Sequence, residues 1–466
     1  MKNGADGLSR NAKLYLTKVG LLCKFVRLDL TRKLFFGFIR GHAYLNSDDL
    51  ARLHPLVGMS DPDVVREFEK HFSALVGDGR SVSFAAGRMA FYVLMKSMSI
   101  GPGDEVILPG STCSVMVNAI LRVGATPVFS DIDPDTFGSA AQHIEKCITP
   151  RTRMIVAQHS FGIPCDIRPI AELAHSRQIF LLEDSALALA SKIDGVTVGN
   201  FGDAALFSTD HSKPLNTLSG GLIYTRNEDL IKKLLGAQAS AQDLSVEKQQ
   251  ALWQRLLLER HYCRPSMYAR IRIVDLLAAV ISRLFKRTRP FLDEDFRAVT
   301  NATYNYPYPA RMPSFLAAVG IIEVKRWPHV VEERREMLRS LLDMARNSVV
   351  QRHLPVAYFD RQREIVPLRF VWTQPDGSSI RARFDGFLDV GSTWFLQPII
   401  ATRDPIGRFG YHKGQCPISE RVGPGMVNLP CNLSQDDSIK LIELFHANIS
   451  PGRDVPLSRE SQVSEH

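Results

Sequence analysis

The chain has 466 residues, 45% of them hydrophobic and 23% charged, which describes a globular protein able to bury one large core and a smaller one. Its formal net charge of +8 suits an anionic ligand as well as a nucleic acid, but no zinc finger, basic arm or other nucleic-acid module is present, so nucleic acid is set aside. The seven cysteines (Cys23, Cys113, Cys147, Cys165, Cys263, Cys416 and Cys431) are odd in number and include no C-x-x-C pair, which excludes a disulfide framework and a zinc site and points to a reducing cytoplasm.

In chain order, residues 1–75 are a basic, amphipathic lead-in. Between Lys13 and Arg40, Lys18, Lys24, Arg27, Arg32 and Lys33 alternate with Leu21, Leu22, Phe25, Leu34, Phe35, Phe36 and Phe38, and only Asp29 opposes them. The stretch lacks an apolar h-region and a cleavage site, so it is not a signal peptide. Nor does any segment offer the roughly 20 apolar residues that cross a bilayer. The stretch either lies on an anionic membrane or packs on the protein body or a second subunit.

Residues 76–240 alternate short apolar strands with helical patterns. The strands are Ser81–Ala85, Glu105–Leu108, Thr126–Ser130, Met154–Ala157, Ile179–Leu182, Ala204–Phe207 and Gly221–Tyr224; the helices are Arg88–Ser97, Val115–Val123, Ser139–Cys147 and Ile167–Arg177. This rhythm predicts an α/β fold with a mostly parallel open sheet and helices on both faces. Ligands of such sheets bind beyond the carboxyl ends of the strands, where Asp131, Asp184 and Ser208 fall.

Residues 241–310 break the rhythm with helical, Arg-rich sequence. Arg270–Arg289 has the pattern of a basic amphipathic helix, and a loop rich in Pro and Tyr follows at Tyr304–Pro313. Residues 311–450, opening on the helical stretch Ser314–Asn347, form a smaller C-terminal α+β unit, and the polar residues 451–466 read as a disordered tail.

Three motifs carry chemistry. At Ala85-Ala86-Gly87-Arg88 a strand ends in small residues and a helix begins, which is a phosphate site or an ordinary tight turn. Ile179–Asp184 is an apolar strand that delivers a carboxylate at its end, either to a pyridine nitrogen or to a turn. From Phe207 to Gly221 a strand gives way to Ser208 and Ser212, then Lys213, then a glycine pair; hydroxyls bind phosphate, and a desolvated lysine forms an imine with an aldehyde. The 29 residues between Asp184 and Lys213 and the flanking hydroxyls set this lysine apart from a solvated surface charge.

These motifs, with Gly101–Ile107, Gly124–Asp133, His159–Asp166, Cys416–Glu420 and Val427–Pro430 in the same order, resemble the DegT/StrS group of sugar aminotransferases. The resemblance covers roughly Ser81–Thr225 and resumes from about Arg311 to Leu444. It implies the aspartate-aminotransferase fold (fold type I), pyridoxal 5'-phosphate (PLP) as cofactor, a homodimer, and transfer of an amino group from glutamate to a keto-sugar carried on a nucleotide. By the same resemblance Lys213 is the Schiff-base lysine, Asp184 the partner of the ring nitrogen, and Gly87, Arg88 and Ser208 the phosphate cradle, with Cys113 packing over the ring.

The sequence departs from the group at three motif positions, and the segment from about Ser240 to Tyr304 reads as an insertion, longer than the group needs, that suits a changed substrate pocket or a docking surface. Leu187 stands where a Gln or His usually follows Asp-Ala-Ala, Cys113 where an aromatic commonly stacks on the ring, and Pro309-Ala310-Arg311 where Asn-Tyr-Arg reaches the neighbouring subunit. An active transaminase is therefore set against a cofactor-bound but catalytically weak relative that serves as a regulator or assembly partner. A dehydratase is disfavoured because relatives of that kind replace the lysine, and a dinucleotide oxidoreductase because no G-x-G-x-x-G opens a βα unit.

Overall fold

The structure, a computed structural model, describes residues 3–285, 296–299, 306–346 and 348–449. The tail 451–466 and the end of the Arg270–Arg289 segment lie outside them. Seven strands form one sheet: β1 (Arg80–Phe84), β2 (Glu105–Pro109), β3 (Thr126–Ser130), β4 (Thr152–Gln158), β5 (Phe180–Asp184), β6 (Ala204–Ser208) and β7 (Gly221–Thr225), in the order β1-β7-β6-β5-β4-β2-β3. The five strands β6-β5-β4-β2-β3 run parallel, while β7 is antiparallel to both β1 and β6.

The two-residue period of a strand explains why these strands read as continuous apolar runs. Val106, Leu108, Met154, Val156 and Leu182 join the core on one face of the sheet, and their neighbours Ile107, Ile155, Ala157 and Leu181 join the core on the other. Of the helices, those that bear on the site are, in chain order, α1 (Asn3–Leu30), α2 (Gly87–Ser97), α3 (Ser114–Val123), α4 (Ile167–Ser176), α5 (Val246–Tyr262), α6 (Tyr268–Phe285), α7 (Ser314–Arg346) and α8 (Pro417–Gly425). The helix expected at Ser139–Cys147 is only Ala141–Glu145, because Ser139 is spent bridging Ile132 and its hydroxyl accepts the Gln158 N–H at 3.0 Å.

A smaller sheet pairs β8 (Arg369–Thr373) with β9 (Met426–Pro430), antiparallel, over a core that includes Phe370, Trp372, Phe384 and Phe445. Helix α7 joins the two cores: Phe315, Leu316 and Val319 pack under the large sheet, and Met337, Leu341 and Ala345 pack under the small one. The N-terminal lead-in is clipped to the small unit, since Phe36 N–H donates to Phe387 O at 2.8 Å and Asp389 N–H to Phe36 O at 2.9 Å.

The two basic amphipathic segments pack against each other. Phe25 and Leu28 of α1 share a buried cluster with Phe35, Tyr268 and Ile271, and Asp29 accepts from Arg270 Nε at 2.6 Å. Leu16, Val19, Val26 and Leu30 on α1, with Leu277, Val280 and Ile281 on α6, stay exposed. No described helix is long and apolar enough to cross a membrane.

Candidate active site

The residues singled out from the sequence meet at the carboxyl edge of the large sheet. Asp184 is the last residue of β5 and is buried. Its Oδ1 accepts the Ala186 N–H at 3.1 Å, and among the described residues Oδ2 receives no donor. Burial raises the pKa of this carboxyl, and the Lys213 charge, the Ala186 N–H and His159 pull it back. One carboxylate oxygen is thus held by the chain while the other stays available to a cationic N–H.

Beneath Asp184 lies a layer that fixes its backbone. His159 N–H donates to Asp184 O at 3.1 Å. The His159 ring accepts the Cys165 N–H on Nδ1 at 3.1 Å, which leaves the proton on Nε2, 3.2 Å from Glu183 Oε2. Glu183 is satisfied by the N–H groups of Gly199, Phe201 and Gly202 at 2.6–2.8 Å. Every polar group in this layer has its partner, which makes it a stiff support.

The phosphate side is built by close backbone approach. A Cβ on Gly87 would stand 3.3 Å from Ser208 Cβ and 3.5 Å from its Oγ, and a Cβ on Gly221 would stand 2.2 Å from Gly87 Cα. Only glycine at 221 lets the start of α2 sit against the start of β7, beside Ser208 at the end of β6. No side chain caps α2 at Ala86, and an 11-residue helix presents backbone N–H groups and a positive dipole end to an anion. With the Ser208 hydroxyl beside it, this turn fits a phosphate.

Lys213 is half-buried in the loop between β6 and β7, where its N–H closes a turn on Asp210 O at 2.9 Å. Its Nζ lies 4.8 Å from the centre of the Trp394 ring. That indole also stacks on the Arg369 guanidinium at 3.9 Å, and Arg369 in turn covers Phe38 at 3.9 Å. Trp394 is thereby pinned by the small unit. It escaped the sequence reading, having no signal beyond a tryptophan in a loop. The segment that bears it is zipped to the site: Thr112–Cys113 pairs in parallel with Ile399–Ile400, and Ser114 Oγ donates to Ala401 O at 2.6 Å.

Cys113 is half-buried at the start of α3, and burial pushes its thiol pKa up against the Val115 N–H and the charges of Lys213 and Arg88. The group there is a neutral thiol suited to packing. Arg88 opens α2, where its carbonyl accepts the Tyr308 hydroxyl at 3.2 Å.

Three other residues are turned away from this chemistry. Asp131 does sit at a strand end, but its two oxygens accept the N–H groups of Ile418 and Ser419 at 2.7 and 2.9 Å and so cap α8. Arg311, in place of the subunit-crossing arginine, makes a two-toothed pair with Asp243 at 2.8 Å. Leu187 is buried in the small unit's apolar core, where a Gln or His would be stranded.

The parallel sheet with a lysine, a strand-end carboxylate and a phosphate-shaped turn at its carboxyl edge is the arrangement of fold type I. The model of the DegT/DnrJ/EryC1/StrS aminotransferase family matches residues 59–444, and the chain belongs to that family. It is 39% identical over 168 residues to GDP-perosamine synthase of Caulobacter vibrioides, covering 36% of this chain and 45% of that protein. It is also 39% identical over 172 residues to UDP-N-acetyl-3-dehydro-alpha-D-glucosamine 3-aminotransferase of Acidithiobacillus ferrooxidans, covering 37% and 47%. The chain thus matches about half the length of these curated relatives. The crystal structure of the aminotransferase TlmJ from Streptoalloteichus hindustanus superposes with a TM-score of 0.64 at 23% identity, over 89% of this chain and 98% of that one, a likeness of fold.

Proposed function

We propose that the protein is a PLP-dependent transaminase that moves an amino group from glutamate to a keto-sugar carried on a nucleotide. The observation that carries this reading is the convergence of Lys213, the undonated Asp184 oxygen and the Gly87–Ser208 turn, delivered by the ends of β6, β5 and β1. Together these residues fit pyridoxal phosphate. When bound, that group supplies an electron sink for the carbon that loses or gains the amine. The chain would do the rest: Asp184 would hold a proton on the ring nitrogen, the α2 turn and Ser208 would hold the phosphate, and Lys213 Nζ would anchor the group and, once displaced by the incoming amine, serve as the base and acid that moves the proton. A nucleotide as the sugar carrier is supported by the GDP- and UDP-linked names of the similar proteins and by the surplus of +8.

A homodimer and a cytoplasmic setting belong to the same reading; the latter is supported by seven free cysteines spread through the fold. Peripheral contact with an anionic membrane is supported by the exposed apolar side chains of α1 and α6. Replacing Leu16, Val19 and Leu30 with serine should abolish sedimentation with anionic vesicles; unchanged sedimentation rejects the contact.

The test of the activity is the visible spectrum of the protein with PLP, before and after glutamate, in wild type and Lys213→Ala. The wild type should show a band that glutamate bleaches, and the variant should fail to complete that half-reaction. A band that no amino donor bleaches would favour a regulatory protein, and no band at all would reject the PLP site.

A further inference from the structure

The lysine loop is gripped from both sides by one buried carboxylate that the chemistry above does not use. Glu259, on α5, is fully buried. Its Oε1 lies 3.0 Å from His211 Nδ1, two residues before Lys213, and its Oε2 accepts from Asn216 Nδ2 at 3.4 Å, three residues after it. Asn216 is held a second time, donating to Arg40 O at 2.7 Å and accepting the Leu218 N–H at 2.7 Å, while His42 Nε2 meets its carbonyl at 3.0 Å. The Arg255 Nε pairs with Glu259 at 2.9 Å, and the other end of that guanidinium reaches Asp275 at 2.5 Å.

A buried carboxylate is costly unless paired, and an apolar contact between helix and loop would hold the two together at less expense. What an ionic, fully hydrogen-bonded contact adds is direction: it fixes where each loop residue points. We infer that Glu259 is a positioning residue for Lys213, setting the lysine's approach by holding the loop through His211 and Asn216. The inference rests on Lys213 being the cofactor lysine.

The electrostatics agree with the geometry. Burial alone would raise the Glu259 pKa, but the His211 hydrogen bond and the charges of Arg255, His211 and His42 outweigh it and bring it down to about 2. His211, part-exposed and facing Asp210 and Glu259 with Arg255 behind, is raised although desolvation pulls it down. Glu259 therefore stays ionised and His211 favours its proton. The segment that sequence alone reads as an insertion thus supplies the buttress of the lysine.

The experiment uses the PLP-loaded enzyme with Glu259→Gln, Glu259→Ala and, from the loop side, His211→Gln. His211 is part-exposed, so its substitution leaves less buried charge stranded should Glu259→Ala fail to fold. With glutamate, single-turnover bleaching should slow by roughly 10-fold in Glu259→Gln and His211→Gln and by about 100-fold in Glu259→Ala, with KM for glutamate little changed. The pH midpoint of the bound-cofactor band should move in all three, a readout that mere loss of stability leaves in place. Wild-type rates and midpoints in the folded variants overturn the inference. Borohydride fixation and peptide mapping separate the two readings. Label on Lys213 with wild-type kinetics sinks only the role of Glu259, and label on another lysine sinks the Lys213 assignment and this inference together.

Discussion

The two sides of the site are held in different ways. Asp184 is fixed locally: its strand, the adjoining β4–β5 layer and the next two residues position it, and its support is His159 and Glu183 from the same sheet. Lys213 is fixed from afar, by Trp394 of the small unit and by Glu259 of α5. The Asp184 side is therefore a property of the sheet, whereas the lysine side is a property of how separate elements are docked. A sheet can keep the first while the second is retuned by changing parts that never touch the cofactor.

The sharpest way to break that contrast is Asp184→Asn. The amide cannot favour a protonated ring nitrogen, so glutamate half-turnover should fall by roughly 10²-fold or more while the fold is unchanged, as followed by stopped-flow absorbance and circular dichroism. A near-normal rate would show that the sheet side is dispensable. Next comes Gly221→Ala, whose Cβ would meet Gly87 Cα at 2.2 Å. Urea unfolding should show a loss of roughly 1–3 kcal/mol together with weaker PLP binding, and an unaltered midpoint would mean the turn can open freely.

Acid stability probes the lysine side. The folded pKa of Glu259, about 2, lies below its ordinary 4.5, so its contribution is complete above pH 4.5 and is lost as pH falls from there towards 2. His211, raised above 6.5, contributes below that pH, and its share is lost as pH rises through the folded value. The wild type should therefore weaken more steeply than Glu259→Gln below pH 4.5, and parallel urea midpoints would deny the coupling. The smallest effect belongs to Trp394→Leu, which removes an interaction of roughly 0.5–2 kcal/mol over Lys213. Bleaching should slow several-fold, with Trp394→Phe recovering most of it; a rate equal to wild type in both would detach the small unit from the lysine.

The same contrast explains what was legible in the sequence. Strand spacing, Asp184, Gly87, Ser208 and Lys213 could be read because each sits at a fixed offset from an apolar run, a relation that local sequence preserves. Trp394 and Glu259 could not, since they reach the site only through tertiary docking and stand 181 and 46 residues beyond Lys213. Asp131 shows the opposite error. A strand-end acid looks the same whether it serves a ligand or a helix, and the hint lay elsewhere: Pro417 opens α8 without a capping side chain of its own, so the cap had to come from another element.

Phe36 and Phe38 precede the stretch that matches the family, yet one is threaded into the small unit at Phe387–Asp389 and the other lies under Arg369. The lead-in and the small unit are thereby coupled mechanically. A change at Phe38 alters the footing of Arg369, and through it of Trp394, so drift at either position should be answered at the other. A chain trimmed to the family's own boundary would lose part of the small unit's wall along with its lead-in, and recombination that swapped only the family-matching stretch would inherit a lysine without its aromatic neighbour held in register.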